Sequence, residues 1–216
     1  MIDVRMFTVG PVQENCFIVR HKDAGKALIV DPGEEADRLL RAVDELGIET
    51  VEAILVTHTH FDHVGAVAPV ARATGAPVYC PKLERDVLAN IMDYVPWPGF
   101  GPFESYEADH TVAGGESLEL AGMKIEVVFT PGHSPGHVTY AIRDERALFS
   151  GDVLFQGSVG RVDLPGGDWP TLLSSIQTLV DDFAPETVVY PGHMGITTLE
   201  RERATNPFLG ELATNR

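Results

Sequence analysis

Cysteine is nearly missing: two residues, Cys16 and Cys80, occur in a chain of 216. That is too few for a disulfide framework, and their spacing is not that of a metal finger. Basic residues are scarce as well, 16 Lys and Arg against 32 Asp and Glu, for a formal net charge of −16. A surface this acidic repels nucleic-acid phosphates and anionic lipid, so neither is an expected partner. Long hydrophobic runs are absent: a membrane span needs about 18 apolar residues, and the longest run, residues 64–71, is broken by Gly65 and Pro69. The opening Met1-Ile2-Asp3-Val4-Arg5 has neither a basic leader nor an apolar signal core, which gives a cytoplasmic expectation. Low-complexity tracts, repeats and polar linkers are missing too. With 44% apolar and 22% charged residues, the composition is that of a packed chain. One domain over residues 1–216 is expected, because a chain of this length buries roughly 70% of its extended surface without staples.

Patterning supplies the elements. Short β-branched runs at residues 2–9, 16–20 and 27–30 are separated by turn clusters such as Asp23-Ala24-Gly25. Ala36, Leu39, Leu40, Val43 and Leu46 then share one helical face, and Gly47 marks its end. A strand at 53–56 leads through a histidine-rich loop to a small-residue helix carrying Ala66, Val67, Val70 and Ala71. Further strands are expected at 117–120 and 123–129, turned by Ala121-Gly122, and at 138–142, 147–149 and 187–190. Asp168 with Pro170 opens a second amphipathic helix with Leu172, Leu173, Ile176, Leu179, Val180 and Phe183 on one stripe. Strands punctuated by helices in two similar halves imply two packed sheets with helices outside. Residues 93–109 break the pattern with Tyr94, Trp97, Phe100, Phe103 and Tyr106 among prolines. That stretch is either a lid over a site or a proline-stiffened loop packed on a sheet edge.

The histidines are the informative residues. His58-Thr59-His60-Phe61-Asp62-His63 places four metal-capable side chains in six residues after an apolar strand. Alternation turns His58 and His60 to one side, while Asp62 and His63 open a helix and point elsewhere. Three more candidates recur just past strand ends: His133 behind Thr130-Pro131-Gly132, Asp152 behind Ser150-Gly151, and His193 behind Pro191-Gly192. A glycine before each permits close backbone approach. Two sets follow, His58, His60 and His133 in one, Asp62, His63 and His193 in the other, with Asp152 as the bridge. A carboxylate suits that place because each oxygen can bind one cation. Nitrogen and oxygen donors without sulfur point to two divalent ions, zinc foremost, with iron and manganese as alternatives. Of the other histidines, His21 falls in an expected turn, His137 stands near His133 as an orienting or packed residue, and His110 stays unassigned.

These residues resemble the metallo-β-lactamase-fold superfamily, whose signature is the His-x-His-x-Asp-His loop, and the resemblance covers essentially the whole chain. Within it, residues 57–63, 130–137, 157–163 and 200–208 are similar to the short glyoxalase II-like (hydroxyacylglutathione hydrolase-like) enzymes. The resemblance implies an α/β (α+β) fold, the four-layer αββα sandwich. It also implies hydrolysis of a small-molecule thioester of the S-lactoylglutathione type by a metal-bridged hydroxide attacking the carbonyl. Asp62 and Asp152 are then the catalytic carboxylates, and Asp31 matches a recurrent acidic position that orients a ligand or simply ends a turn. Arg161 is either a clamp on an anionic substrate or a surface ion pair. The larger glyoxalase II enzymes add a C-terminal helical domain with basic residues for glutathione; here a short tail helix is expected before Arg216. The rival reading is a persulfide dioxygenase of the same fold, with one iron on His58, His133 and Asp152. A true β-lactamase is disfavoured by the bridging Asp152, and a nuclease by the charge. A binding scaffold without activity predicts eroded ligands, yet all seven are present.

Overall fold

The structure, a computed structural model, describes residues 1–22, 24–95 and 97–210. Asp23 of the expected turn, Pro96 of the aromatic stretch and residues 211–216 of the tail lie outside the described residues. The chain divides into two compact units, residues 1–112 with 119–123 and residues 113–118 with 124–216.

The first unit is built on a six-stranded mixed sheet in the order β1-β2-β3-β4-β5-β6: β1 (Ile2–Val9), β2 (Glu14–His21), β3 (Lys26–Val30), β4 (Thr50–Leu55), β5 (Val78–Pro81) and β6 (His110–Val112). β1, β2 and β3 are antiparallel, while β3 through β6 run parallel. Parallel neighbours need crossovers. The first is α1 (Ala36–Glu45), which buries Leu39, Ala42 and Val43 and ends before Gly47, whose φ of 66° suits glycine. Past β4 come α2 (Phe61–Val64) and α3 (Val67–Thr74), the latter burying Val67, Ala68, Val70 and Ala71. A further short helix, α4 (Arg85–Ala89), follows β5.

The second sheet has the order β14-β13-β10-β9-β8-β7. Its strands are β7 (Ser117–Leu120), β8 (Met123–Phe129), β9 (Val138–Ile142), β10 (Ala147–Gly151), β13 (Val188–Pro191) and β14 (Thr197–Thr198). Ala121 and Gly122, with φ of 50° and 73°, turn β7 into β8 as their sequence suggests. β10 and β13 are parallel. The crossover between them is α5 (Trp169–Asp182), capped by Asp168, whose carboxylate accepts the Thr171 N–H at 2.9 Å. Leu172, Ile176, Leu179 and Val180 form its buried stripe. Between β10 and α5 lies a small hairpin, β11 (Leu154–Phe155) and β12 (Ser158–Val159), and α6 (Leu199–Thr205) follows β14.

The α/β (α+β) class that the resemblance implies is the class observed. Strands β5, β6, β11, β12 and β14 escaped the sequence reading, since two to four residues give no measurable alternation. Among the described residues no helix is long and apolar enough to cross a membrane.

Both cysteines sit in the first core, fully buried. Burial, aided by the nearby Glu14 and Asp31 charges, pushes the Cys16 thiol well up, and burial does the same for Cys80. Thiolate is the reactive form, so both should resist alkylation. Iodoacetamide at pH 8 should leave the native protein unlabelled and modify both thiols in denaturant; labelling of the native form at the rate of a free thiol would contradict this packing.

Candidate metal centre

Local geometry explains why each candidate ligand stands where it does. In the first unit Asp31 follows β3 and Thr57 follows the adjacent parallel β4, so both leave the sheet at the same edge. The Asp31 carboxylate takes the Thr57 N–H at 2.7 Å and the Thr57 hydroxyl at 2.6 Å. Having donated its proton there, the Thr57 oxygen can only accept from His58 Nδ1, 3.1 Å away. This fixes the His58 tautomer: Nδ1 carries hydrogen and Nε2 offers its lone pair. That Nε2 lies 3.2 Å from His60 Nδ1. The neighbouring Thr59 is clamped by the buried Glu84, which accepts its N–H at 2.6 Å and its hydroxyl at 3.0 Å.

Asp62 and His63 lie in α2, as the sequence reading placed them. His63 is fully buried, and its Nδ1 lies 3.0 Å from Asp31 Oδ2 and 3.7 Å from Glu14 Oε1. Carboxylates only accept, so Nδ1 holds the hydrogen and Nε2 is the atom that could bind a metal; Asp62 Oδ2 is 3.9 Å from it. Asp31, His58 and His63 offer ligand atoms within 4.8 Å of one another. Gly33 is required here by space, since a Cβ would fall 1.7 Å from the Asp62 carbonyl oxygen.

In the second unit His133 follows β8, Asp152 follows β10 and His193 follows β13. His133 Nδ1 donates to the Arg161 carbonyl at 2.7 Å, leaving Nε2 toward Asp152 Oδ2 at 3.4 Å. His193 Nε2 reaches the same carboxylate oxygen at 3.5 Å. His137 is fully buried and its Nε2 accepts the Asp152 N–H at 3.0 Å, so its Nδ1 donates to Thr130 Oγ1, also at 3.0 Å. Its role is thereby settled as holding the Asp152 backbone. Gly160 lets the chain pass under both groups, for a Cβ there would meet the Asp152 carbonyl oxygen at 1.8 Å and His133 Nδ1 at 3.1 Å.

The donor set fits divalent metal. Four ligands at 2.0–2.1 Å around a tetrahedral ion stand about 3.3–3.4 Å apart, edge to edge. Of the four observed separations, 3.2, 3.4 and 3.5 Å bracket that value, and the 3.9 Å from Asp62 to His63 lies beyond it. The three nitrogen–oxygen separations exceed the usual 2.9 Å of a nitrogen–oxygen hydrogen bond.

Arg161 is half exposed and forms a bidentate pair with Asp163 at 2.6 and 2.7 Å. Its guanidinium holds the Asp163 carboxyl down to about 2. His21 Nε2 lies 3.1 Å from the Gly122 carbonyl, and His110, in β6, stacks on Tyr79 at 4.5 Å. The aromatic stretch is anchored on Phe61, inside the metal loop between His60 and Asp62: Phe100 and Phe103 lie 4.8 and 5.7 Å from its ring and Trp97 6.0 Å. Sequence reading missed Glu14 and Glu84. An isolated glutamate carries no signal, and their partners stand 49 and 25 positions away.

A family model described as the metallo-beta-lactamase superfamily matches residues 9–193, which runs through both units. A hydroxyacylglutathione hydrolase from Haemophilus influenzae, GloC, is 33% identical over 96% of this chain and 98% of its own. Among solved structures, the BLEG-1 B3 metallo-beta-lactamase superposes with a TM-score of 0.89 at 39% identity, covering 96% of this chain and 99% of that one. TTHA1623, solved in a di-iron-bound form, gives 0.83 at 40% identity, covering 95% and 100%.

Asp31→Asn tests the tautomer argument. An amide can keep its oxygen on the Thr57 N–H only by turning its NH2 toward His63 Nδ1–H, donor against donor. His63 must then shift its hydrogen to Nε2 and lose the ligand lone pair. Asp31→Asn should weaken zinc binding about 10–100-fold, as much as Asp31→Ala, in a chelator competition; wild-type affinity in Asp31→Asn would refute it.

Proposed function

The chain belongs to the metallo-β-lactamase superfamily, and on that footing we propose that it hydrolyses small thioesters of the hydroxyacylglutathione class. The observation that carries the reading is one carboxylate oxygen, Asp152 Oδ2, facing the nitrogens of both His133 and His193. In this reading His58, His60 and His133 hold one divalent ion, Asp62, His63 and His193 hold a second, and Asp152 bridges them. Bound there, such ions supply Lewis acidity and a water that ionises near neutral pH. Zinc comes first by donor chemistry, and the di-iron form of TTHA1623 keeps iron open. The two units would act together as one catalytic domain over residues 1–216.

The protein's own groups set the stage. Asp31 and Glu14 hold His63, the Arg161 carbonyl holds His133, and His137 holds the backbone of Asp152. Asp62, partly exposed, is a carboxylate able to take a proton at the substrate side. A thiolate leaving group needs no protein acid, because it departs unprotonated at neutral pH. Arg161 is offered as the contact for a substrate carboxylate, displacing Asp163. The thiol pair is buried and unbridged, which suits a reducing, cytoplasmic setting. The acidic surface suits a small-molecule substrate rather than nucleic acid or membrane.

Steady-state assays of the zinc, iron and manganese forms on S-lactoylglutathione should show turnover that persists without oxygen, at two metals per chain. Failure with every glutathione thioester would sink the assignment. One iron per chain with oxygen uptake would instead mark a persulfide dioxygenase, and turnover confined to a β-lactam would mark a lactamase.

Arg161 and Asp163 give a second test. The Arg161 guanidinium lowers the Asp163 carboxyl to about 2, so that carboxyl stays charged through the ordinary assay range and is neutralised only as pH falls toward that value. Assay pH therefore cannot free the guanidinium, but Asp163→Asn can. Arg161→Ala should raise KM for an anionic thioester about tenfold, the loss of one charge-assisted contact, with a smaller fall in kcat. Asp163→Asn should lower KM. An unchanged KM in both variants would dispose of the clamp.

A further inference from the structure

We propose that Glu202, in the tail helix α6, is a positioning residue for the metal centre. It fixes the hairpin between Asp152 and Arg161 together with the chain that follows His193. This inference rests on the metal-centre reading above.

The carboxylate of Glu202 is fully buried. Its Oε2 accepts the Gly157 N–H at 2.8 Å and the Asn206 side-chain amide at 2.8 Å, and its Oε1 accepts the Thr197 hydroxyl at 2.5 Å. These three donors are neutral, and burying a charge on such partners is a poor source of net stability. What the arrangement supplies is direction. Gly157 is the turn of the β11–β12 hairpin, with a φ of 70°. Thr197 opens β14, four residues beyond His193. Asn206 extends the hold, its amide also donating to the Ser158 carbonyl at 3.0 Å and the Phe155 carbonyl at 3.4 Å.

The hairpin is the short path between two parts of the centre. At its start, Val153 follows Asp152 and accepts the Gly160 N–H on its carbonyl. At its end, Gly160 lies against the Asp152 carbonyl and the His133 ring, and Arg161 accepts from His133 Nδ1. In its middle, Phe155 meets the His193 ring edge-on at 5.8 Å. A hairpin released at its turn would thus loosen His133, Asp152 and His193 at once. The ligand separations of 3.4 and 3.5 Å depend on a carboxylate that touches none of the three.

The test uses the full-length protein and zinc as probe. Glu202→Ala removes the common acceptor of three donors, two of them buried, and should cost about tenfold or more in zinc affinity by chelator competition. Glu202→Gln can keep oxygen on Gly157 and Asn206 and turn its NH2 to the Thr197 hydroxyl, which can accept, so it should stay within about threefold of wild type. Thr197→Val, the mildest change, should lose a few-fold and keeps the test alive should Glu202→Ala not fold. Leu39→Ala, a core truncation in the first unit, serves as the stability control: it should lower Tm and leave zinc affinity in place. Hydrogen exchange of the metal-free protein should show residues 153–160 losing protection in Glu202→Ala and not in Leu39→Ala. Zinc affinity in Glu202→Ala and Thr197→Val equal to wild type, or lost equally in Leu39→Ala, would overturn the positioning role. A wild-type protein that binds no divalent ion would fail the metal-centre reading itself, and the proposal with it.

Discussion

The account turns on a crowding of donor atoms. Asp152 Oδ2 stands 3.4 Å from one imidazole nitrogen and 3.5 Å from another, while His58 and His60 bring two further ring nitrogens to 3.2 Å. Lone pairs gathered at such distances need a proton or a cation between them, and a divalent ion is what the proposed reading puts there. The surrounding structure holds them there at several points. Three of the imidazoles are fixed through their Nδ1: His58 by Thr57, His63 by Asp31, and His133 by the Arg161 carbonyl. Three hydrogens are thereby placed on Nδ1, which leaves Nε2 of each ring as the atom a metal would take. The two sheets serve this end directly, because Asp31, His58, Asp152 and His193 all follow the C-terminal ends of parallel strands.

Much of this was legible in the sequence because it is local. The His-x-His-x-Asp-His segment is six residues long, the Ala121-Gly122 turn is two, and the cap of α5 lies within four positions from Asp168 to Thr171. Helices α1 and α5 announce themselves by apolar residues at helical spacing. The unread parts are the non-local ones. Glu84 acts on Thr59 across 25 positions, Glu14 on His63 across 49, and Glu202 on Gly157 across 45. A buried acid cannot be told from a surface acid when 32 acidic residues are present. The aromatic stretch was visible as an anomaly, but its anchorage on Phe61 depends on packing that no periodicity encodes.

The supporting groups are as instructive as the ligands. Asp31, Glu14, Glu84, His137 and Glu202 are all buried, and each is assigned here to orienting other groups. Buried polar groups are expensive unless satisfied, so a fold that keeps several in each unit is spending stability on geometry. The acidic surface is a separate matter. With a formal charge of −16, an anionic substrate meets repulsion at long range and needs a local cation on arrival, which gives Arg161 and its Asp163 partner their place in the reading.

The most direct measurement is a crystal of the metal-loaded protein with the ions located and identified by anomalous scattering. The account predicts two ions in each chain, one contacting His58, His60 and His133, the other Asp62, His63 and His193, with Asp152 touching both. A chain that retains no ion, or holds one at residues other than these, would contradict it.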